Sequence, residues 1–172
     1  MRVAIVGSRG YPSRGEVVDY VGKLPEGFVV VSGGAEGVDS WAQEAALKRG
    51  MEFTIHAVTD ALRQAYGEKV APLKRNELIV KDCEKLVAFW DMGSRGTLHA
   101  IRLALIEGKL LKVFTPFGVL RPATPNDPVE MPKDDSIADL NPINLGRIWM
   151  RLVDLEKCVN EMKAEVANGA VG

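Results

Sequence analysis

Cysteine is scarce in this chain. Cys83 and Cys158 stand far apart and form no CxxC pair, which excludes a disulfide framework and a cysteine zinc motif. Histidine is as rare: His56 and His99 are the whole supply, and no set of histidines, cysteines and carboxylates has metal-ligand spacing. Neither a metal nor a cofactor is therefore expected. Long apolar runs are missing too. The longest are strand-sized, such as Phe28 to Val31, far below the roughly 20 residues that cross a bilayer. The opening MRVAIVG reads as a strand, not a signal peptide, so no membrane partner is expected and the cytoplasm is the expected compartment. An excess of charge of one sign is lacking as well. With 22 basic and 23 acidic residues the net charge is -1, which gives no global attraction to nucleic acid. The tryptophans Trp41, Trp90 and Trp149 fall in core or helix-face patterns, not in a basic groove with stacking aromatics. No internal repeat or low-complexity tract is visible.

What the chain does have is glycine at the ends of strands. Val29-Val30-Val31 stops at Ser32-Gly33-Gly34-Ala35-Glu36-Gly37-Val38-Asp39, and a helical pattern (Trp41, Ala42, Ala45, Ala46, Leu47) follows at once. Gly33, Gly34 and Gly37 let the backbone take positive φ and let a ligand approach without meeting a Cβ. The first helical N–H groups are left unpaired, which suits a phosphate. Glu36 and Asp39 oppose an anion at that spot, and Asp39 suits a ribose hydroxyl better, or simply caps the helix. Two further junctions repeat the theme. Val3 to Val6 ends at Gly7-Ser8-Arg9-Gly10, and Lys85 to Trp90 ends at Asp91-Met92-Gly93-Ser94-Arg95-Gly96-Thr97, followed by a helix from Leu98 to Glu107.

Between these junctions, Ser13-Arg14-Gly15-Glu16 fits a capping box, with Val17, Val18, Val21 and Leu24 as the apolar face behind it. Glu52 to His56 reads as a third strand, Thr59 to Ala71 as a loop or short helix, and Arg75 to Val80 as a helix after Pro72. Leu110 to Phe114 reads as a fifth strand. Alternation at this spacing predicts an α/β fold, a doubly wound parallel sheet of about five or more strands, with its ligand crevice outside the carboxyl ends of the strands. All three glycine turns lie at that edge. At 172 residues and 47% hydrophobic, one core is expected with an appendage: a domain over 1–115, a proline-rich arm over 116–144, and a C-terminal helix and tail over 145–172. Ile148, Leu152, Leu155, Val159, Met162 and Val166 form a short a/d seam on that helix, which suits packing on its own domain or a homodimer.

The run Gly7-Ser8-Arg9, Ser32-Gly33-Gly34-Ala35-x-Gly37-Val38-Asp39, Arg75-Asn76 and Ser94-x-Gly96-Thr97 resembles the SLOG superfamily (SMF/DprA and LOG proteins), most of all its small YspA-like members. The likeness covers about residues 2 to 114. It implies a Rossmann-like fold that binds a nucleotide or nucleotide derivative. Gly7, Ser8 and Arg9 would line the floor, Ser32 to Asp39 would hold ribose or phosphate, Arg75 and Asn76 would reach in from the helix above, and Ser94, Gly96 and Thr97 would form a second cradle. Arginine offers a planar fork to phosphate, and asparagine both donates and accepts.

The departures count too. LOG phosphoribohydrolases carry a glutamate where this chain has Ala100, within Gly93-Ser94-Arg95-Gly96-Thr97-Leu98-His99-Ala100, and alanine cannot exchange a proton. Leu62 and Pro72 also differ from the YspA-like pattern. The sequence therefore favours a sensor, carrier or scavenger of a nucleotide-derived small molecule. An N-glycoside or phosphate-bond hydrolase is a second reading, with Asp39, Glu36 or Asp91 replacing the absent glutamate; Asp91 alternatively accepts from a sugar hydroxyl. A DprA-like single-stranded DNA-binding protein is a third, its basic rim formed by Arg9, Arg14, Arg75 and Arg95. His56, at a strand end near the crevice, is a further candidate toward ligand. His99 stands in the first turn after Gly96, where the helix dipole disfavours its protonation.

Overall fold

The computed structural model describes residues 1–121. The arm beyond Arg121, the apolar seam and Trp149 lie outside them. The elements run β1 (Arg2–Gly7), α1 (Arg14–Gly22), β2 (Val29–Ser32), α2 (Val38–Lys48), β3 (Phe53–Ile55), α3 (Asp60–Tyr66), α4 (Ala71–Asp82), β4 (Lys85–Phe89), α5 (Arg95–Ile106), β5 (Leu110–Thr115) and β6 (Gly118–Leu120). Their order in the sheet is β3-β2-β1-β4-β5-β6. The first five strands pair in parallel, and only β6 is antiparallel, folded back on β5. This is the Rossmann-like doubly wound arrangement. Right-handed crossovers put α1 and α2 on one face and α4 and α5 on the other.

The order reverses between β1 and β4, since the chain winds outward through β2 and β3 and then returns. At such a switch point neighbouring βα loops part and leave a crevice. The loops after β1, β2 and β4 all emerge there.

The core explains why the strands read as near-continuous apolar runs: Val3, Ala4, Ile5, Val30, Val31, Leu86, Val87, Ala88 and Phe89 are buried from both sides. Phe89 and Phe114 stack at 4.6 Å, and Tyr11 and Tyr20 meet Phe89 edge-on. Val38, Ala42, Ala45 and Ala46 of α2 are buried, and Gly7 lets this helix come down on β1. A Cβ on Gly7 would lie 2.5 Å from the Phe89 carbonyl and 2.6 Å from Val38 Cγ2.

Several local expectations are corrected. The capping box is half formed: Ser13 Oγ accepts from Glu16 N–H, but the Glu16 carboxylate takes the Tyr11 hydroxyl at 2.6 Å instead of reaching back. Val18 is exposed, because the buried stripe of α1 is Val17 and Val21. Of the two readings open for Thr59 to Ala71, a loop or a short helix, the structure has the short helix, α3, capped by Thr59. The irregular stretch expected from Thr115 begins instead with a turn and strand β6, tied by Thr115 Oγ1 donating to the Gly118 carbonyl at 2.8 Å.

Candidate nucleotide-binding edge

Asp39 stands at the centre of the crevice and is 3% exposed. It is not the cap of α2; Gly37 occupies that position without a side-chain bond. The carboxylate turns inward and accepts from the N–H groups of Gly7 (3.2 Å), Gly33 (2.9 Å) and Ala35 (3.4 Å). One side chain thus joins the β1 and β2 loops. Burial pushes its pKa up, against the opposing pull of Arg75 and those N–H groups. Arg75 comes from α4 and donates to the Gly33 carbonyl at 2.6 Å and to Asn76 Oδ1 at 3.2 Å. Its guanidinium lies where a Cβ on Gly33 would stand, so glycine is required there by close approach. Gly37 is required for two reasons: φ is 84°, and a Cβ would lie 2.8 Å from Arg9 Cα. Arg9 is thereby set over the β2 loop; burial is the leading cause that lowers the Arg75 pKa, Asp39 opposes it, and the positive charge of Arg9 adds a smaller downward push.

The third loop is held by Asp91. Its Oδ1 accepts from the Ser8 hydroxyl (2.9 Å), Gly93 N–H (3.0 Å) and Ser94 N–H (2.8 Å), and Ser8 Oγ accepts from Asp91 N–H in return. Burial raises the Asp91 pKa, but the N–H groups of Ser94 and Gly93 and the Ser8 hydroxyl outweigh it, and the net shift is downward. Asp82, held by Arg2 and His56, is also shifted down against its burial. Both carboxylates contribute stability above their unfolded pKa of about 3.9 that is lost as pH falls through the lower folded value. Thermal melts should therefore fall steeply below about pH 4, and Asp91→Asn should make that fall shallower. An unchanged slope in the variant would refute this role.

The N-terminus of α5 completes the site. Ser94 Oγ accepts from Thr97 N–H at 3.4 Å and from the Thr97 hydroxyl at 3.1 Å, and Thr97 Oγ1 lies 3.2 Å from Ser8 Oγ. The N–H groups of Arg95 and Gly96 have no partner among the described residues. Asn76 Nδ2 donates to the Gly96 carbonyl at 2.9 Å and lies 3.4 Å from His99 Nδ1. Burial is the leading cause that lowers the His99 pKa, and Arg102 and Lys74 add to it.

Gly7, Ser8, Arg9, Ser32, Gly33, Gly34, Ala35, Gly37, Asp39, Arg75, Asn76, Asp91, Gly93, Ser94, Gly96 and Thr97 are therefore brought together by hydrogen bonds or direct packing. Other candidates fall elsewhere. The His56 ring is held at 2.8 Å by Asp82, with Arg2 on the same carboxylate oxygen, so it fastens α4 to β1 and β3 rather than facing the crevice. Arg14 pairs with Glu44 of α2. At the third turn Met92, not Gly93, takes the positive φ of 68°. Asp39 and Asp91, candidates for the missing glutamate, each hold a loop in place. Glu36 is exposed, and Ala100 is buried without an acid–base atom.

Sequence reasoning missed Trp90. Its indole N–H donates to the Ser94 carbonyl at 3.1 Å, so a core tryptophan also fastens the third loop. Its place just before Asp91, at the strand end, was the available signal. Among the described residues no group of three or more His, Cys, Asp or Glu could hold a metal ion, and no helix is long and apolar enough to cross a membrane.

Comparison with known proteins bears on the fold and the family. The model of the family described as DNA recombination-mediator protein A matches residues 1–75, the stretch from β1 through Arg75. The Gene 61 protein of Mycobacterium phage D29 is 35% identical over 115 residues, covering 62% of this chain and 90% of that protein. DNA processing protein A from Helicobacter pylori, a structure described for its single-stranded DNA binding mode, superposes with a TM-score of 0.54 at 25% identity over 67% of this chain and 64% of that one. DNA processing protein A from Streptococcus pneumoniae does so with a TM-score of 0.51 at 26% identity, over 66% of this chain. The chain spans 64% and 49% of these two structures. It belongs to the family of the phage Gene 61 protein and, with DNA recombination-mediator protein A, to the SLOG superfamily.

Proposed function

We propose that this protein binds single-stranded DNA along the carboxyl edge of its sheet, with backbone phosphates taken by Arg9, Arg75, Arg95 and the first turn of α5. The observation that carries this reading is the gathering of arginines beside the N-terminus of α5. Arg9 and Arg75 are close enough to repel. Close by, α5 begins with Arg95 and has no acidic residue in its first turn. Cations at a helix N-terminus oppose the dipole and disfavour the free protein, and an anion relieves both. Both Asp39 oxygens and Asp91 Oδ1 accept from loop N–H groups, which turns these carboxylates toward their own loops rather than toward a bound strand. The relationship to DNA recombination-mediator protein A supports a polynucleotide over a free small molecule.

The test is fluorescence anisotropy of a labelled oligothymidylate with the full chain at several salt concentrations. Three phosphate contacts predict a slope of log K against log salt near −2, or an affinity lower by about 20-fold between 50 and 200 mM salt. Binding without salt dependence, or none at low salt, would defeat the reading. Displacement of the oligonucleotide by a nucleoside monophosphate at comparable concentration would return the small-molecule reading.

A further inference from the structure

Single-strand binding uses aromatic rings on which bases stack as well as cations, and the loops of the site expose none. Among the described residues the exposed aromatic rings are Tyr66 and Phe117. Tyr66 has the Lys74 ammonium over its ring, 5.5 Å from the centroid. Phe117 stands at the tip of the β5–β6 turn and is 49% exposed.

Its position follows from the register. Phe89 pairs with Phe114, and Trp90 N–H donates to the Phe114 carbonyl at 2.8 Å. One step further on each strand, β4 enters the Asp91–Ser94 loop and β5 enters the turn that carries Phe117. Both leave the sheet at the same edge, about 5 Å apart, the spacing of neighbouring strands. The turn is braced: Thr115 Oγ1 donates to the Gly118 carbonyl at 2.8 Å and accepts from Phe117 N–H at 3.2 Å. An apolar ring is thus held out into solvent by a fixed turn beside the loop that Asp91 and Trp90 fasten.

We infer that Phe117 is a base-stacking platform, on which a base of the strand lies after its phosphates leave the α5 end of the site. This rests on the single-stranded DNA reading above. The ring carries no charge, so its contribution is separable from that of the arginines. Phe117→Ala is expected to weaken oligothymidylate binding about tenfold with an unchanged salt slope. Phe117→Tyr should stay within about twofold, and neither variant should alter the melting temperature, since the ring is exposed. On an abasic strand of the same length, wild type and Phe117→Ala should bind alike. Equal oligothymidylate affinity for wild type and Phe117→Ala would overturn the inference and leave the DNA reading standing, as would an equal loss on the abasic strand. Failure of the wild-type chain to bind either strand would overturn both.

Discussion

Asp39→Ala should lower the melting temperature by about 10 °C, measured by calorimetry or circular dichroism on the full chain. The substitution leaves the N–H groups of Gly7, Gly33 and Ala35 without their acceptor in a place that is 3% exposed. Hydrogen bonds to a charged group contribute about 1.5–3 kcal/mol each, and an abandoned buried donor costs a further desolvation penalty. Water entering the crevice recovers part of that, so a net cost of about 3 kcal/mol is reasonable, at about 4 °C per kcal/mol for a domain of this size. The loss should also loosen the β1 loop relative to the β2 loop, because among the described residues no other side chain bonds both in this way. Glu36→Ala, three residues away and exposed, should shift the melting temperature by no more than about 2 °C. A small effect at Asp39 comparable to that at Glu36 would show that the carboxylate does not hold the loops together.

Charge reversal at Arg9 and Arg95 together should weaken oligonucleotide binding by well over tenfold at low salt, whereas each alanine variant should reduce the magnitude of the salt slope by about 0.7, the share of one single-strand phosphate contact. Both side chains are exposed, so the fold should survive the change, and the melting temperature serves as the check. Arg75→Ala is a less clean probe, because Arg75 also donates to the Gly33 carbonyl and to Asn76 and its loss disturbs the frame as well as the charge. An unchanged salt slope in both alanine variants would place the strand elsewhere on the molecule.

The alternation of strands and helices, the parallel sheet, and the three loops at one edge all follow from local pattern, because buried parallel strands must be apolar on both faces and their crossovers leave room for little else. The same is true of Gly34 and Gly37, with φ of 67° and 84°, since few other residues tolerate that conformation. Arg75 and Asn76 look like solvated surface on a bare helix and are singled out only by the family resemblance; in the structure they bond the Gly33 and Gly96 carbonyls.

The direction in which polar side chains point was decided only by tertiary structure. Asp39 in the first turn of α2 reads as a cap or a sugar acceptor; it turns inward because the N–H groups of two separate loops meet at its oxygens, and no local signal encodes a bond across 32 residues. His56 reads as facing the crevice until Asp82, 26 residues on, takes its ring. Gly33 and Gly7 need to be glycine because Arg75 and Val38 press on them, a packing constraint rather than a turn constraint. Phe117 gains a role only when β6 folds back and sets its turn beside the Asp91 loop. Sequence by itself determined which groups the protein can present. The fold decided which of them face one another, because contacts between residues far apart in the chain depend on the sheet order and the register of its strands.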